Sequence, residues 1–136
     1  MNDSNVVQFA VTWQPLPPSW LDQDVGAVGE QGRATANKTF SVAGAGQGTM
    51  GITSDGFHFA YPPLSGDGTI IARMVSVQGS SAAQVGIMIR ETLSAWANHV
   101  YLFDYYSSLL MSERTSTGAS SSYQSVGSGT GRIGSS

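Results

Sequence analysis

The sequence predicts an all-β protein, a sandwich of antiparallel strands, for two reasons. Apolar residues recur with period two over short runs, and Gly, Pro, Asn and Asp separate these runs. Gly, Ser and Thr dominate the polar positions while charged residues make up only 11% of the chain, a balance common in secreted β modules. A chain of 136 residues is long enough for one domain with its own core.

The first half of the chain contains three of about six expected strand runs. Residues 7–13 alternate apolar and polar side chains and stop at a proline cluster, because proline cannot donate to a strand ladder. Residues 39–42 form a short strand, and residues 50–61 form a strand pair around Ser54-Asp55-Gly56. Within that pair the alternation places Phe57, Phe59 and Tyr61 on one face.

The second half contains the remaining strands. Residues 64–68 form a turn, and the β-branched residues 69–77 after it complete a hairpin. Residues 85–90 and 100–106 each alternate, and because both faces of the latter are largely apolar we expect that strand to lie centrally. The single helix candidate, residues 89–97, has favourable Ala and Leu but no clear cap.

The C-terminal stretch differs in composition from the rest. From residue 115 onward it consists mostly of Ser, Gly and Thr, with too few apolar side chains to offset the entropy lost on ordering. We therefore expect a β-sandwich module over residues 1–117 and a flexible tail over residues 118–136.

Composition excludes several classes of function. The chain has no cysteine, which removes thiolate catalysis, cysteine-ligated zinc and disulfides. Six Lys and Arg against a net charge of −3 leave no basic stripe for nucleic acid or anionic lipid. No apolar run approaches the ~20 residues of a spanning helix, and the N-terminus is not a signal peptide. The expected protein is extracellular, with its signal peptide outside this sequence.

Several motifs, in order, resemble the concanavalin A-like modules of large exported bacterial proteins (the DUF1349 type, "regulation of enolase protein 1"-like). The resemblance covers roughly residues 16–117. The motifs are Leu16-Pro17-Pro18-Ser19-Trp20, Asp24-Val25-Gly26, Val28-Gly29, Gly44-Ala45-Gly46, Asp55-Gly56-Phe57-His58-Phe59 with Tyr61, Leu64-Ser65-Gly66-Asp67-Gly68, Ile71-Ala72-Arg73 and Gly86-Ile87-Met88-Ile89-Arg90-Glu91.

The resemblance implies a jelly-roll sandwich that accompanies carbohydrate-active domains, with suspected sugar binding and no catalytic residues. Two departures matter. Such modules usually carry an Asp-Ile-Trp-like stretch where this chain has Gly48-Thr49-Met50. They also continue with further strands where this chain becomes rich in Ser and Gly, so the module looks C-terminally shortened.

A shortened sandwich would expose strand edges and part of its apolar face to water. Self-association would cover both the strand edges and the apolar face. The apolar content of residues 100–111 therefore predicts a homo-oligomer, at least a dimer, whose interface replaces the missing strands.

A polysaccharide or glycan is the expected ligand of this module. Sugars stack their C–H faces on aromatic rings and exchange hydrogen bonds through their hydroxyls. A surface where arginine and aromatic side chains meet offers both kinds of contact. The alternative for an arginine inside a strand is a structural ion pair. The alternative for an aromatic residue in an alternating strand is that its ring packs in the core. The candidate ligand-binding residues are Trp20, Trp96, Tyr101, Tyr105, Tyr106 and Arg90.

Two alternatives to noncatalytic binding stay open. One is a small hydrolase, with or without a bound metal, that uses a histidine with nearby carboxylates. The sequence contains no His-x-His or His-x-x-x-His pair, and a structural role suits both histidines. The other is a structural spacer or assembly module. The candidate catalytic residues of the hydrolase are His58, His99, Asp55, Asp104 and Glu91.

The aspartates in and beside the expected turns have two interpretations. Their carboxylates can accept backbone N–H bonds and shape the turns, or hold a structural Ca²⁺ together with main-chain carbonyls. Asp22 and Asp24 are the candidate metal ligands, although nothing in the sequence has the spacing of an EF-hand.

Overall fold

The computed structural model describes residues 16–80 and 82–128 of the chain. Within these residues the protein is all-β, with only antiparallel strand pairs and no helix, which confirms the predicted all-β antiparallel class. No helix in the described residues could therefore cross a membrane. The predicted run at residues 7–13 and residues 129–136 of the expected tail lie outside the described residues. The strands are β1 (Leu21–Val25), β2 (Arg33–Asn37), β3 (Thr39–Ala43), β4 (Phe57–Tyr61), β5 (Val85–Arg90), β6 (His99–Tyr105), β7 (Ser108–Arg114) and β8 (Ser122–Ser128).

The described chain divides into two compact units. The first comprises residues 16–47 and 55–68 and contains β1 to β4. The second comprises residues 48–54 and 69–128 and contains β5 to β8. Each unit is a set of antiparallel strands with its own pairing.

In the first unit β1 pairs with β4, and the two faces of this pair differ. Alternation places the aromatic residues of β4 on one face, where Phe57 and Phe59 have ring centroids 5.8 Å apart and Phe59 stacks on Tyr61 at 5.0 Å. This confirms that the three rings share a face. Asp22 and Asp24 lie on the opposite face, within β1 rather than beside a turn as the sequence suggested.

The second pair of this unit is the β2–β3 hairpin. Its register runs from Arg33 opposite Ala43 to Asn37 opposite Thr39, and Lys38 forms the tight connection with φ of 66°. β3 confirms the strand predicted at residues 39–42. Its Phe40 ring packs against Trp20 at a centroid distance of 4.6 Å, so Trp20 is half-buried.

The second unit is one four-stranded sheet in the order β5-β6-β7-β8, and β6 lies inside it as predicted. Burial alternates along its strands, so the sheet has two distinct faces. The buried face consists of Met88, His99, Tyr101, Phe103, Leu110, Ser112 and Arg114, all under 10% exposed. The open face consists of Val85, Ile87, Ile89, Val100, Leu102, Leu109 and Met111, none of them buried.

Two predicted strands and the predicted helix are wrong. Residues 50–54 form turns whose Ile52 carbonyl accepts from Arg114 and Ser121 rather than from a ladder. Residues 69–77 have high strand propensity but pair with no strand in the described chain, because propensity alone supplies no partner. The helix at residues 89–97 is displaced by pairing, since Ile89 and Arg90 complete β5 opposite Val100 and His99.

Part of the expected tail belongs to the sheet. Residues 122–126 have exposed side chains, yet the segment pairs with β7 as strand β8, with an irregularity between Leu109 and Leu110. Strand pairing uses backbone groups, which a Ser-rich segment has like any other. A prediction that rests on side-chain burial therefore does not detect this edge strand.

The β6–β7 turn has a strained backbone. Tyr105 pairs with Ser108, so the loop has two residues, and both have left-handed φ: Tyr106 at 51° and Ser107 at 63°. This is the pattern of a type I′ hairpin turn, where Asn-Gly is the preferred sequence. An L-residue in the left-handed region costs about 1–2 kcal/mol.

Ser107→Gly is therefore expected to raise the free energy of unfolding by about 0.5–1 kcal/mol, the relief of strain less the entropy of glycine. Chemical denaturation measures this change. Ser108→Gly, one residue along in β7, is the matched control and should lower stability, since glycine weakens a strand. Stabilisation by both variants, or by neither, would contradict the turn assignment.

A second prediction concerns Tyr101, which is buried and stacks on Phe103 with ring centroids 4.4 Å apart. Burial disfavours the phenolate and raises the pKa of Tyr101 well above its ordinary value. In the unfolded chain the phenol ionises above about pH 10 while the folded protein keeps the proton, so stability is full below that pH and falls above it.

The expected slope is about 1.4 kcal/mol lost per pH unit above about pH 10, measured by denaturation at a series of alkaline pH values. Tyr101→Phe should remove this slope. Tyr123→Phe, which alters an exposed tyrosine, should leave it unchanged. An unaltered slope in Tyr101→Phe would assign alkaline unfolding to another group.

Candidate functional site

The connection between β5 and β6, residues 91–98, carries the exposed Trp96 and is here named the tryptophan loop. It starts and ends at one point, because the Glu91 N–H donates to the Asn98 carbonyl at 3.0 Å. Arg90, the last residue of β5, organises its first half. The Arg90 Nε donates to the Thr92 carbonyl at 2.9 Å and its Nη2 donates to the Ser94 carbonyl at 2.6 Å.

Short-range hydroxyl contacts continue this arrangement along the loop. The Thr92 hydroxyl oxygen accepts from the backbone N–H of Ser94 at 3.2 Å, and the Ser94 hydroxyl oxygen accepts from the backbone N–H of Trp96 at 3.2 Å. The Ala97 N–H donates to the Ser94 carbonyl at 3.1 Å. Successive Ser and Thr turns of this kind fix a backbone without helix or strand.

The second half of the loop is held by Arg114, a buried residue of β7. Its Nη1 donates to the Ala97 carbonyl at 3.0 Å and to the Ala95 carbonyl at 3.4 Å. The Trp96 carbonyl in turn accepts from the Gly118 N–H at 3.0 Å. The residues on both sides of Trp96 are therefore buried and hydrogen-bonded at the backbone.

Trp96 itself is 54% exposed. Because the loop backbone is already held by hydrogen bonds, a ligand that packs against the ring needs to order only this side chain, which has two rotatable bonds. Its ring offers an apolar surface and its indole N–H one hydrogen-bond donor. Chemically, the loop can stack a flat apolar face and donate to one oxygen.

The other aromatic candidates lie elsewhere. Tyr106 is 59% exposed at the β6–β7 turn, with its ring 4.7 Å from that of Tyr105 in a T-shaped pair. The tryptophan loop joins the opposite end of β6, about 24 Å away along a seven-residue strand. Tyr101 lies in the core, and Trp20 belongs to the other unit. The structure therefore keeps Trp96 with Arg90 and separates them from the tyrosine pair.

His99 takes part in a buried polar network of the second unit. Its Nδ1 lies 3.4 Å from the Ala97 carbonyl. Its Nε2 lies 3.3 Å from the Ser112 hydroxyl, which receives a hydrogen bond from the Thr49 hydroxyl at 3.0 Å. The Ser121 hydroxyl donates to the Thr49 carbonyl. These contacts tie residues 48–54 to the buried face of the sheet.

The contact between Ser112 and His99 pairs the residue types of a nucleophile and its base, but both side chains are buried. Ser112 and Thr49 are 0% exposed and His99 is 4% exposed, so a substrate has no approach to this hydroxyl. Asp104 lies on the other face of β6 from His99, and Glu91 is exposed in the tryptophan loop. Within this unit, the candidate catalytic residues are not gathered into one site.

His58 in the first unit lies between two carboxylates. Its Nδ1 is 2.8 Å from Asp24, directly opposite on β1, and its Nε2 is 2.8 Å from Asp22. Its side chain is only 3% exposed. Gly32 and Gly44 provide the space, since a Cβ on Gly32 would lie 2.5 Å from the imidazole Cγ and one on Gly44 would lie 2.6 Å from the His58 Cβ.

Asp24 is the better integrated of the two carboxylates. Its Oδ1 and Oδ2 accept from the Gly32 N–H at 3.0 and 3.3 Å, while its side chain is 23% exposed against 31% for Asp22. The candidate metal ligands Asp22 and Asp24 thus lie close together, but both carboxylates contact the imidazole of His58. Among residues 16–80 and 82–128 no group of three or more His, Asp and Glu side chains is arranged to hold a metal ion. Asp55 is buried in the same unit.

Arg114 is the important residue that the sequence argument missed. Its Nε also donates to the Ala119 carbonyl at 2.7 Å and its Nη2 to the Ile52 carbonyl at 2.8 Å. A signal was present, because Arg114 continues the period-two series of Leu110 and Ser112 and so falls on the core side of its strand. An arginine in a buried phase indicates a set of acceptors supplied by other segments.

The chain matches no protein-family model, no curated protein and no solved structure.

The aspartate–histidine cluster generates a prediction on stability. Asp24→Ala removes an acceptor of both His58 and Gly32 and is expected to cost about 1–3 kcal/mol. Asp22→Ala removes one more exposed contact and should cost less than about 1 kcal/mol. Denaturation of the two single variants makes the comparison, with each serving as the other's control. A larger loss in Asp22→Ala would show that this hydrogen-bond geometry is not what stabilises the first unit.

Proposed function

We propose that the chain is a noncatalytic glycan-binding module of an exported bacterial protein. The observation that carries this proposal is the tryptophan loop, in which two arginines and a series of hydroxyl contacts hold the backbone while Trp96 stays exposed. Sugar rings present flat C–H faces that pack on an indole, and their hydroxyls match its N–H donor.

The surface chemistry also supports a glycan as the ligand. A chain with 11% charged residues and abundant Ser, Thr and Gly offers hydroxyls and amides to an uncharged ligand. The same composition suits an extracellular protein, which is part of the proposal. Arg90 supports ligand binding indirectly, because its Nε and Nη2 donate to the loop's own carbonyls and position Trp96.

The finer architecture that we propose is a concanavalin A-like jelly roll of the DUF1349 type. The antiparallel all-β strands support it, together with the motifs that resemble that family. The contacts of the histidines favour binding over hydrolysis, since His58 lies between two carboxylates and His99 lies beside a fully buried serine.

Affinity electrophoresis through gels containing glucans or xylans tests the proposal. The wild-type protein should be retarded by at least one polysaccharide, and Trp96→Ala should weaken that retardation about tenfold or more, since a stacking aromatic is lost. Tyr123→Ala is the matched control, because Tyr123 is also 54% exposed but lies in β8. Its retardation should equal that of the wild type.

The rival functions give different results in the same series. A hydrolase would release reducing sugar from the retarding polysaccharide, and His58→Ala would abolish that release. A spacer would migrate freely through every gel. Equal retardation of Trp96→Ala and the wild type would place any binding outside the tryptophan loop and contradict the proposed site.

A further inference from the structure

The open face of the four-stranded sheet is an unusual surface for a protein in water. Across it, Ile89 lies beside Val100, and Ile87 lies beside Leu102 and then Met111. Val100 is 51% exposed, Ile89 44% and Val85 37%. Aliphatic side chains thus cover three adjacent strands, whereas a solvated antiparallel sheet usually has polar residues on its outer face.

We propose that two copies of this chain pack their open faces together and form a homodimer. The inference does not rest on glycan binding. Two antiparallel sheets that stack face to face at about 10 Å form the core of a β-sandwich, and the aliphatic residues of this face provide the required interdigitating side chains.

The size of the face fits a weak, specific dimer. β6 and β7 are seven residues long, and four strands about 4.8 Å apart give a plan area of about 450 Å² for each copy. Two such faces bury about 900 Å² in plan and more in accessible area, which is near the lower limit of about 1,000 Å² for a specific interface. We therefore expect a dissociation constant in the micromolar range.

The charges on the face favour a second copy over a lipid surface or a polysaccharide. Its only charged side chains are Asp104 towards one end and Glu113 towards the other, so the centre is uncharged. Acidic ends and a net charge of −3 repel anionic lipid. The face also has no aromatic ring on which a sugar could stack. A self-complementary aliphatic centre is what a two-fold contact requires.

Sedimentation velocity over a series of protein concentrations tests the dimer. The wild-type protein should pass from monomer to dimer across the micromolar range. Val100→Lys should raise the dissociation constant at least about tenfold, because a lysine would be desolvated at the interface. In the monomer that lysine lies opposite Glu113 on β7 and gains an ion pair, so the sheet itself is retained.

Ile71→Lys is the matched control, since Ile71 is 84% exposed and lies outside the open face. It should dimerise like the wild type. A wild-type monomer at every concentration, or a dimer that Val100→Lys leaves intact, would overturn the proposal. A monomer that sediments with neutral phosphatidylcholine vesicles would assign the face to lipid and overturn it as well.

A cysteine variant tests the same contact without a destabilising charge. The chain has no cysteine, so Val100→Cys introduces a single thiol on the open face. Its alkylation rate should fall several-fold as the protein concentration rises, because dimerisation covers the thiol. Ile71→Cys should react at a constant rate. A constant rate for Val100→Cys would contradict the interface.

Discussion

The second unit depends on the guanidinium of Arg114. Burying a cation is costly unless acceptors replace the water, and here the acceptors are backbone carbonyls from three separate segments, residues 52, 95–97 and 119. A planar group with five N–H donors on three nitrogens can contact these four carbonyls at once, whereas the ammonium of a lysine has three donors on one nitrogen. One side chain on β7 thereby fixes loops that have no strand partner of their own.

This arrangement accounts for which parts of the fold were predictable. Strands β5 and β6 follow from alternation because their partners are close in the chain and share the same period. The turns at residues 50–54 do not, because the conformation of these turns depends on contacts of Ile52 with Arg114 and Ser121, which lie 62 and 69 residues further along the chain. Strand β8 escapes prediction for a related reason, since its polar side chains carry no alternation and only the edge of β7 specifies it.

The candidate site was predictable in its residue types but not in its grouping. Trp96 and Arg90 were selected from the sequence and lie together, but the contact between them is indirect, through the loop backbone that Arg90 holds. Tyr101 has the same chemistry as Tyr106, but Tyr101 lies on the buried face of β6 whereas Tyr106 lies in the turn that follows this strand. Nothing in the sequence groups Asp22 and Asp24 with His58, because residues 34 to 36 positions apart meet only once β1 pairs with β4.

The distribution of polar groups in the two units bears on where chemistry can occur. In the first unit the imidazole of His58 is occupied by carboxylates, and in the second the hydroxyl of Ser112 is enclosed with His99. Groups that would be reactive at a surface serve here to connect strands and loops, because satisfied buried polar contacts specify one arrangement of the chain. We therefore propose that recognition uses exposed apolar groups, namely the Trp96 indole at one end of β6 and the aliphatic face along its length. The first suits a small flat ligand, and the second suits a surface as large as itself.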